Sequence, residues 1–392
     1  MAVSSRIKAV QEASRPLNSF YFQSRYGKRR GDPNICDFTF GNPHEMPLAE
    51  IVSAIQTHAV PKDENWFAYK ASEAEPQSFI AEHVGRELGL PFEPADIALT
   101  SGAFAAISLV FHLTLDQGDE AIFCEPAWFC YEPMLLAANM VPRKVSLAAH
   151  SFDLDLSAID AAIGPKTKLV IVNTPHNPTG RIYTREVLQE LSNLLERASA
   201  RIGHRIYLLS DEPYRRLRFD GRRFDSPAAF YPWTFISYSY GKVLLSPGQR
   251  LGYMAISPLM PRADRRAFQE AAFPAQMATG WCFPNAVMQY AVPELETLSI
   301  DQATLVRRRD RLIPVMRQAG YEPLLPEGTF YLWTKWPHGD PDRHWNALAD
   351  RDVFVLPGIV MNAERYLRIS LTASDAMVEK ALPAFLEAHH GA

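Results

Sequence analysis

The sequence predicts an α/β fold, with a large domain built on a mostly parallel sheet and a smaller α+β domain. Three observations carry that reading. Between about residues 80 and 260, short continuous apolar runs alternate with stretches of helical period, the pattern of parallel strands buried on both faces. Beyond about residue 292 a long amphipathic helix is followed by strands. A chain of 392 residues also exceeds the size at which one hydrophobic core usually divides. The expected boundaries are 48–292 for the large domain, and 1–47 together with 293–392 for the small one.

Taken in order, the segment MAVSSRIKAVQEASRPLNSF has no apolar run of the kind a signal peptide needs. FTFGNPHEMPL (38–48) reads as an extended connector rather than a sheet strand. QSFIAEHVGREL (77–88) and AFAAISLVFHLTL (103–115) read as helices, the second mostly apolar. EAIFCEP, KLVIVNTP, RIYLLSDEP, TFISYSY and RLGYMAIS read as strands of the large sheet. In the small domain, 299–320 is an amphipathic helix ending at a glycine. GTFYLWTKWP, DVFVLPG and RYLRISLTA follow as strands, and a helix closes the chain from Asp375 to His389.

Bulk properties exclude several functions. A formal net charge of −4 and the lack of long basic runs argue against nucleic acid as a partner. No stretch of eighteen uncharged apolar residues occurs, so no membrane span is expected. Cys36, Cys124, Cys130 and Cys282 lack the spacing of a zinc site or a disulfide framework, which points to a reduced, cytoplasmic protein without bound metal.

Polar residues gather where the apolar runs end. NTPHNPTG (173–180), SDEPY (210–214) and SYSYGK (237–242) supply an amide, a carboxylate with a phenol, and an amine. Ligands of open α/β sheets bind outside the carboxyl ends of the strands, so the three segments are expected to share a site. Lys242, the one lysine between Lys168 and Lys335, would by itself be an ordinary solvated residue. With Ser239 three positions before it and Arg250 eight after it, the setting becomes specific. From about Gly41 to Ser370 the chain resembles the class I/II aminotransferases, pyridoxal-phosphate enzymes of fold type I. HNPTG, SDEPY, S-x-x-K and R-L-G-Y carry the resemblance, in order and with the family's spacing.

The resemblance implies a mostly parallel seven-stranded sheet, pyridoxal 5′-phosphate as cofactor, and transfer of an amino group from an amino acid to a 2-oxo acid. Lys242 matches the lysine that holds the cofactor as an internal aldimine and then moves the Cα proton. Asp211 matches the aspartate at the pyridinium nitrogen, and Tyr214 and Asn177 the donors to the phenolic oxygen. Ser239, Arg250 and the turn Gly102–Ala103–Phe104 at a helix start would bind the phosphate, where free N–H groups favour anions. Trp128 would stack on the ring, and Tyr69 would reach the phosphate of a neighbouring subunit in a homodimer with shared active sites. Arg368 matches the clamp on the substrate's α-carboxylate, with Gly41 and Asn177 beside it and Trp128 bordering the substrate. One departure bears on Tyr69: Ala74 stands where the family has a glycine.

Bland readings remain for some residues. Trp128 and Tyr69 could be packing aromatics, Asp211 with Glu212 an ordinary strand-end pair capping a turn, and His176 and Cys130 structural. Relatives that use aspartate hold its distal carboxylate with a lysine where Phe104 stands, or with a partner-subunit arginine. No arginine occurs between Arg266 and Arg307. With Phe129, Trp281 and Phe283 also in the pattern, a neutral, bulky or aromatic donor is expected, leaving only an N-terminal arginine as a source of a second cation. The alternatives on the same fold are a lyase, a decarboxylase or a cyclising synthase. A regulator carrying this domain would need a DNA-binding module that the forty or so residues before FTFGNP leave no room for.

Overall fold

A computed structural model describes residues 3–388, so His389, the expected end of the last helix, lies outside the described residues. The strands are β1 (Cys36–Phe38), β2 (Ile97–Thr100), β3 (Glu120–Glu125), β4 (Val141–Ser146), β5 (Thr167–Asn173), β6 (Tyr207–Asp211), β7 (Thr234–Ser239) and β8 (Gly252–Ile256), then β9 (Glu322–Pro323), β10 (Tyr331–Lys335), β11 (Val353–Pro357) and β12 (Tyr366–Ser370). Seven of them form the large sheet in the order β2-β8-β7-β6-β5-β3-β4. Only β8 runs against its neighbours; β3 to β7 pair in parallel. The mostly parallel seven-stranded sheet is the one expected, and a smaller five-stranded sheet, β1-β11-β12-β10-β9, is the core of an α+β domain.

The apolar runs explain the large sheet. In β2, β7 and β8 successive side chains alternate between two buried clusters, with Ala98, Phe235, Met254 and Ile256 in one. Ile97, Leu99, Ile236, Tyr238, Tyr253 and Ala255 lie in the other. Burying one such side chain is worth about 1.5–3 kcal/mol, so a strand that fills both clusters has a strongly fixed register. Helix Ala103–Thr114, apolar as its sequence requires, buries Ile107, Leu109, Val110 and Phe111 against this sheet.

The sheet's two edges are finished differently. On the outer side of β2, Ser72 Oγ accepts from Leu99 N at 2.8 Å, Gln276 donates to Leu99 O at 2.7 Å and Gln77 donates to Ile97 O at 2.6 Å. On β4, Pro142, Arg143 and Lys144 interrupt the apolar pattern, and Arg143 and Lys144 pair with Glu120 and Glu132.

One expectation needs correction at the N-terminus. Cys36–Phe38 is a strand that pairs in parallel with β11, so the stretch read as a connector begins inside the small sheet at Phe38. Beyond Phe38 the chain through Leu48 does run without strand or helix. Before β1, helices Ser5–Ala13, Arg15–Asn18 and Arg25–Arg29 flank a π-helical turn, Ser19–Gln23. Phe20 anchors this segment, stacking on Tyr26 and meeting Phe40 and Trp345 edge-on. Among the described residues no helix is long and apolar enough to cross a membrane.

Candidate active site

The parallel order of β5, β6 and β7 brings Asn173, Asp211 and Ser239 to one edge of the sheet. A cavity of about 420 Å³ opens there, lined by Ala103, Phe104, Trp128, Asn177, Asp211, Tyr214, Ser239, Lys242 and Arg250 among others. A second lobe of about 390 Å³ shares Trp128, Asn177, Tyr214 and Lys242 with the first and adds Gly41 and Arg368. Lys242 lies on a short helical turn, Tyr240–Val243, directly after β7. Its Nζ stands 5.8 Å from the Tyr214 ring centre and 6.0 Å from that of Phe330.

Asp211 is fully enclosed. Tyr131 donates to its Oδ2 at 2.5 Å and Ser237 to its Oδ1 at 2.7 Å. Burial raises its pKa, while these two hydrogen bonds and the Lys242 charge work against the rise. Each oxygen keeps a second lone pair for a further donor. The turn after β5 is held by Asn173, which donates to Asp211 O at 2.8 Å and accepts from Asn177 N at 2.7 Å. His176 within it bonds Thr179 and is buried, which lowers its pKa to about 3; it is neutral and structural.

The anion side of the first lobe rests on close backbone approach. Gly102, at φ +84°, precedes the helix that starts at Ala103, and a Cβ on it would come within 2.7 Å of the Arg250 guanidinium. Arg250 is fixed by bonds to Pro247 O and Ser101 O. Gly252, the glycine of RLGY, lets β8 pass so near Tyr238 O and Gly102 that a side chain would collide with both. A bare helix start, a serine and an arginine together suit a phosphate dianion.

Arg368 on β12 is 1% exposed and forms no ion pair among the described residues. Nη1 donates to Asn177 Oδ1 at 2.9 Å and Nη2 to Thr39 O at 3.0 Å, while Nε has no partner. Its guanidinium lies 3.8 Å from the Tyr331 ring centre, and burial lowers its pKa. A buried cation without a counter-ion is costly, and the cavity at its side offers room for a carboxylate. Because Asn177 Oδ1 is taken by Arg368, the amide's N–H groups are what it has left to give the cavity.

Sequence reasoning missed several members. Burial tends to push the Tyr331 phenol up, but the Arg368 and Lys242 charges outweigh it and hold it below its ordinary value. Burial raises Tyr214 well above its ordinary value, so it stays a phenol donor. The alternation in YLW would have placed Tyr331 on the face of Arg368, since Trp333 pairs with Arg368 across the strands. Tyr131 falls three residues after Trp128 and meets it edge-on at 5.3 Å. Three expected residues are not brought to the cavity of their own chain. Tyr69 is 91% exposed, and Trp281 and Phe283 lie with it outside both lobes.

Beneath Asp211, Glu212 is buried beside Arg215. Its Oε1 accepts from Ser210 and Ser226, while Oε2 stays unbonded 3.8 Å from Arg215. Burial raises its pKa from 4.5 to about 7, against the pull of Arg215 and the two serines. A raised folded-state value means stability that is full below pH 4.5 and lost as pH passes through 7. Glu212→Gln should therefore match the parent in urea unfolding near pH 4 and exceed it by about 3 kcal/mol near pH 8. Parallel stability curves over that range would refute the shift.

The family model "Aminotransferase class I and II" matches residues 33–385. The aspartate/prephenate aminotransferase of Thermus thermophilus is 30% identical over 371 residues, 91% of each chain. Kynurenine–oxoglutarate transaminase 1 of Mus musculus is 29% identical over 272 residues, 64% of this chain and 62% of that one. An aminotransferase of solved structure from Eubacterium rectale superposes with a TM-score of 0.86 at 27% identity, covering 99% of this chain and 96% of the other. The chain belongs to the class I and II aminotransferases, enzymes whose cofactor is pyridoxal 5′-phosphate.

Proposed function

We propose that this aminotransferase takes a neutral, bulky or aromatic amino acid as donor, and that Lys242 is its catalytic amine. The observation that carries the reading is the two-lobed cavity, in which Asp211 and Arg368 occupy opposite lobes and Lys242 borders both. Asp211 would hold the ring nitrogen, Tyr214 and Asn177 the phenolic oxygen, and Trp128 the ring face. Gly102, Ala103, Phe104, Ser239 and Arg250 would hold the phosphate. Bound there, the cofactor supplies an electron sink for the pair left when the donor's Cα–H bond breaks.

The chain's own groups do the rest. Arg368 fixes the donor's α-carboxylate, with Gly41 at the wall, where a side chain would strike Phe330 and Tyr331. That contact would set the Cα beside Lys242, which borders both lobes and whose Nζ would take up and hold the Cα proton. Asp211, steadied by Tyr131 and Ser237, would offer its remaining lone pairs to the ring nitrogen. Tyr331, whose pKa the Arg368 and Lys242 charges hold below its ordinary value, packs its ring against the Arg368 guanidinium and steadies it.

Support for a neutral donor comes from the walls of the substrate lobe. Tyr21, Phe22, Phe40, Trp128 and Phe129 line it, and Arg368 is its one arginine. Two N-terminal arginines are engaged elsewhere, Arg25 with Asp350 and Arg29 with Asp32 and Asp352, while Arg30 lies 4.2 Å over the ring of Tyr21 behind the lobe's wall. With Arg368 engaged by the α-carboxylate, a second substrate carboxylate would find no further arginine among the lobe's lining residues. Relatives named for aspartate, prephenate and kynurenine span both acidic and aromatic compounds.

A homodimer would complete the site. Tyr69, Phe273, Met277 and Trp281 form an exposed apolar surface near Phe283, larger in side-chain bulk than isolated surface apolars need be. We assign it to a second copy of the chain, with Tyr69 reaching the partner's phosphate lobe.

Three outcomes are expected. After borohydride reduction, intact mass should rise by the cofactor in the parent and not in Lys242→Ala, whose turnover should fall at least about 10³-fold; a labelled variant ends the assignment. Against a common 2-oxo acid, kcat/KM for phenylalanine or tryptophan should exceed that for aspartate by about tenfold or more, since an unpaired buried carboxylate costs at least the corresponding 1.4 kcal/mol. Equal or faster use of aspartate would reverse the specificity reading. Sedimentation should give twice the chain mass for the parent and the single-chain mass for Met277→Asp/Trp281→Asp; a monomeric parent at micromolar concentration would dismiss the shared site.

A further inference from the structure

A separate cavity of about 420 Å³ lies on the small sheet, away from both lobes of the active site. One wall is the segment after β4, with His150 and Phe152; the other is sheet, with Trp333, Lys335 and Tyr366. Strand register makes its position informative. Trp333 stands directly opposite Arg368, and Lys335 opposite Tyr366. Because side chains alternate along a strand, all four residues project from the same face. The cavity is therefore one cross-strand step from the guanidinium that borders the substrate lobe.

Its walls combine aromatic faces with charged groups. Trp333 and Tyr366 are stacked with an interplanar angle of 2° at 5.2 Å, and Phe152 meets Tyr366 edge-on at 5.7 Å. Trp333 is 0% exposed, yet its Nε1–H has no partner among the described residues. A buried, unbonded donor costs about 1–3 kcal/mol, and native structures rarely carry one without a reason. The charges at the wall do not cancel. Lys335 pairs with Glu322 at 2.7 Å, whereas Arg317, also at the wall, has no ion pair among the described residues. The cavity holds one cationic charge in excess, with His150 at its side.

We propose that this cavity is an effector site for a small aromatic monocarboxylate, whose binding is felt at Arg368 through the Trp333–Arg368 strand pair. The ring would lie against Tyr366 and Phe152, and the carboxylate would take the Arg317 fork. Arg368 would respond to such a ligand because its guanidinium rests on Tyr331 of β10. Among the described residues it is otherwise tied to the chain only at Nη1 and Nη2, so a displacement of β10 against β12 shifts its reach into the substrate lobe. An effector of this kind alters substrate affinity only by its own preference between the two arrangements.

The test titrates the holoenzyme with indole-3-acetate, which has neither an amino nor an oxo group to react. Binding heat is followed by calorimetry, and occupation of the active site by the visible absorbance of the bound cofactor. A heat that saturates without altering that absorbance is expected, weakened at least tenfold in Arg317→Ala/Lys335→Ala, whose activity without ligand equals the parent's. Saturating this event should shift the donor KM at least threefold with little change in kcat. No heat, one event that tracks the cofactor absorbance, or a second event indifferent to the substitutions overturns the site; an unmoved KM overturns the coupling.

Discussion

Two buried charges kept apart, Asp211 at the end of β6 and Arg368 on β12, set the terms for the residues around them. Either would be expensive alone in an apolar interior. Neither is paired to the other; they occupy separate lobes that meet at Asn177, Tyr214 and Lys242. Asp211 is supported by two hydroxyl donors, and Arg368 by an amide oxygen and a backbone carbonyl. Those neutral partners solvate the charges without cancelling them. The unspent field then belongs to whatever enters the cavity, which is the sense in which the site is organised before its ligands arrive.

Backbone proximity is the second constraint. Three chain segments converge behind Arg250, and Gly102 and Gly252 allow it by having nothing beyond Cα. On the other side Gly41 presses against Phe330 and Tyr331. Glycines at these places act on the distance between elements more than on local flexibility, which is why they stand inside motifs that would otherwise be read for their side chains.

Much of this was legible in the sequence, and the gaps have physical reasons. Continuous apolar runs marked β3 and β5 to β8, because strands buried on both faces need no polar alternation. β4 escaped notice since Pro142, Arg143 and Lys144 give it an edge strand's composition. β1 and β2, at three and four residues, are too short to show a period. Residues carried by motifs after strands are the ones the structure brings to the cavity, whereas the sequence carries no sign of the contacts that Tyr131, Ser237 and Tyr331 make there. Each of those three acts through a partner distant in sequence, Asp211 or Arg368, and a single sequence does not display such pairs. Tyr69, Trp281 and Phe283 illustrate a different boundary, as a lone chain places them outside its own cavity.

The finishing of β2 has a consequence for how copies of this protein can meet. Ordinarily the rim of a sheet presents a ladder of vacant amides and carbonyls onto which a foreign strand can zip. Here Ser72, Gln77 and Gln276 already occupy those positions, and the opposite rim is guarded by a proline and two cations. Edge-to-edge growth into fibrous aggregates is thereby blocked at both ends of the large sheet, so that association is steered toward contacts between side-chain surfaces.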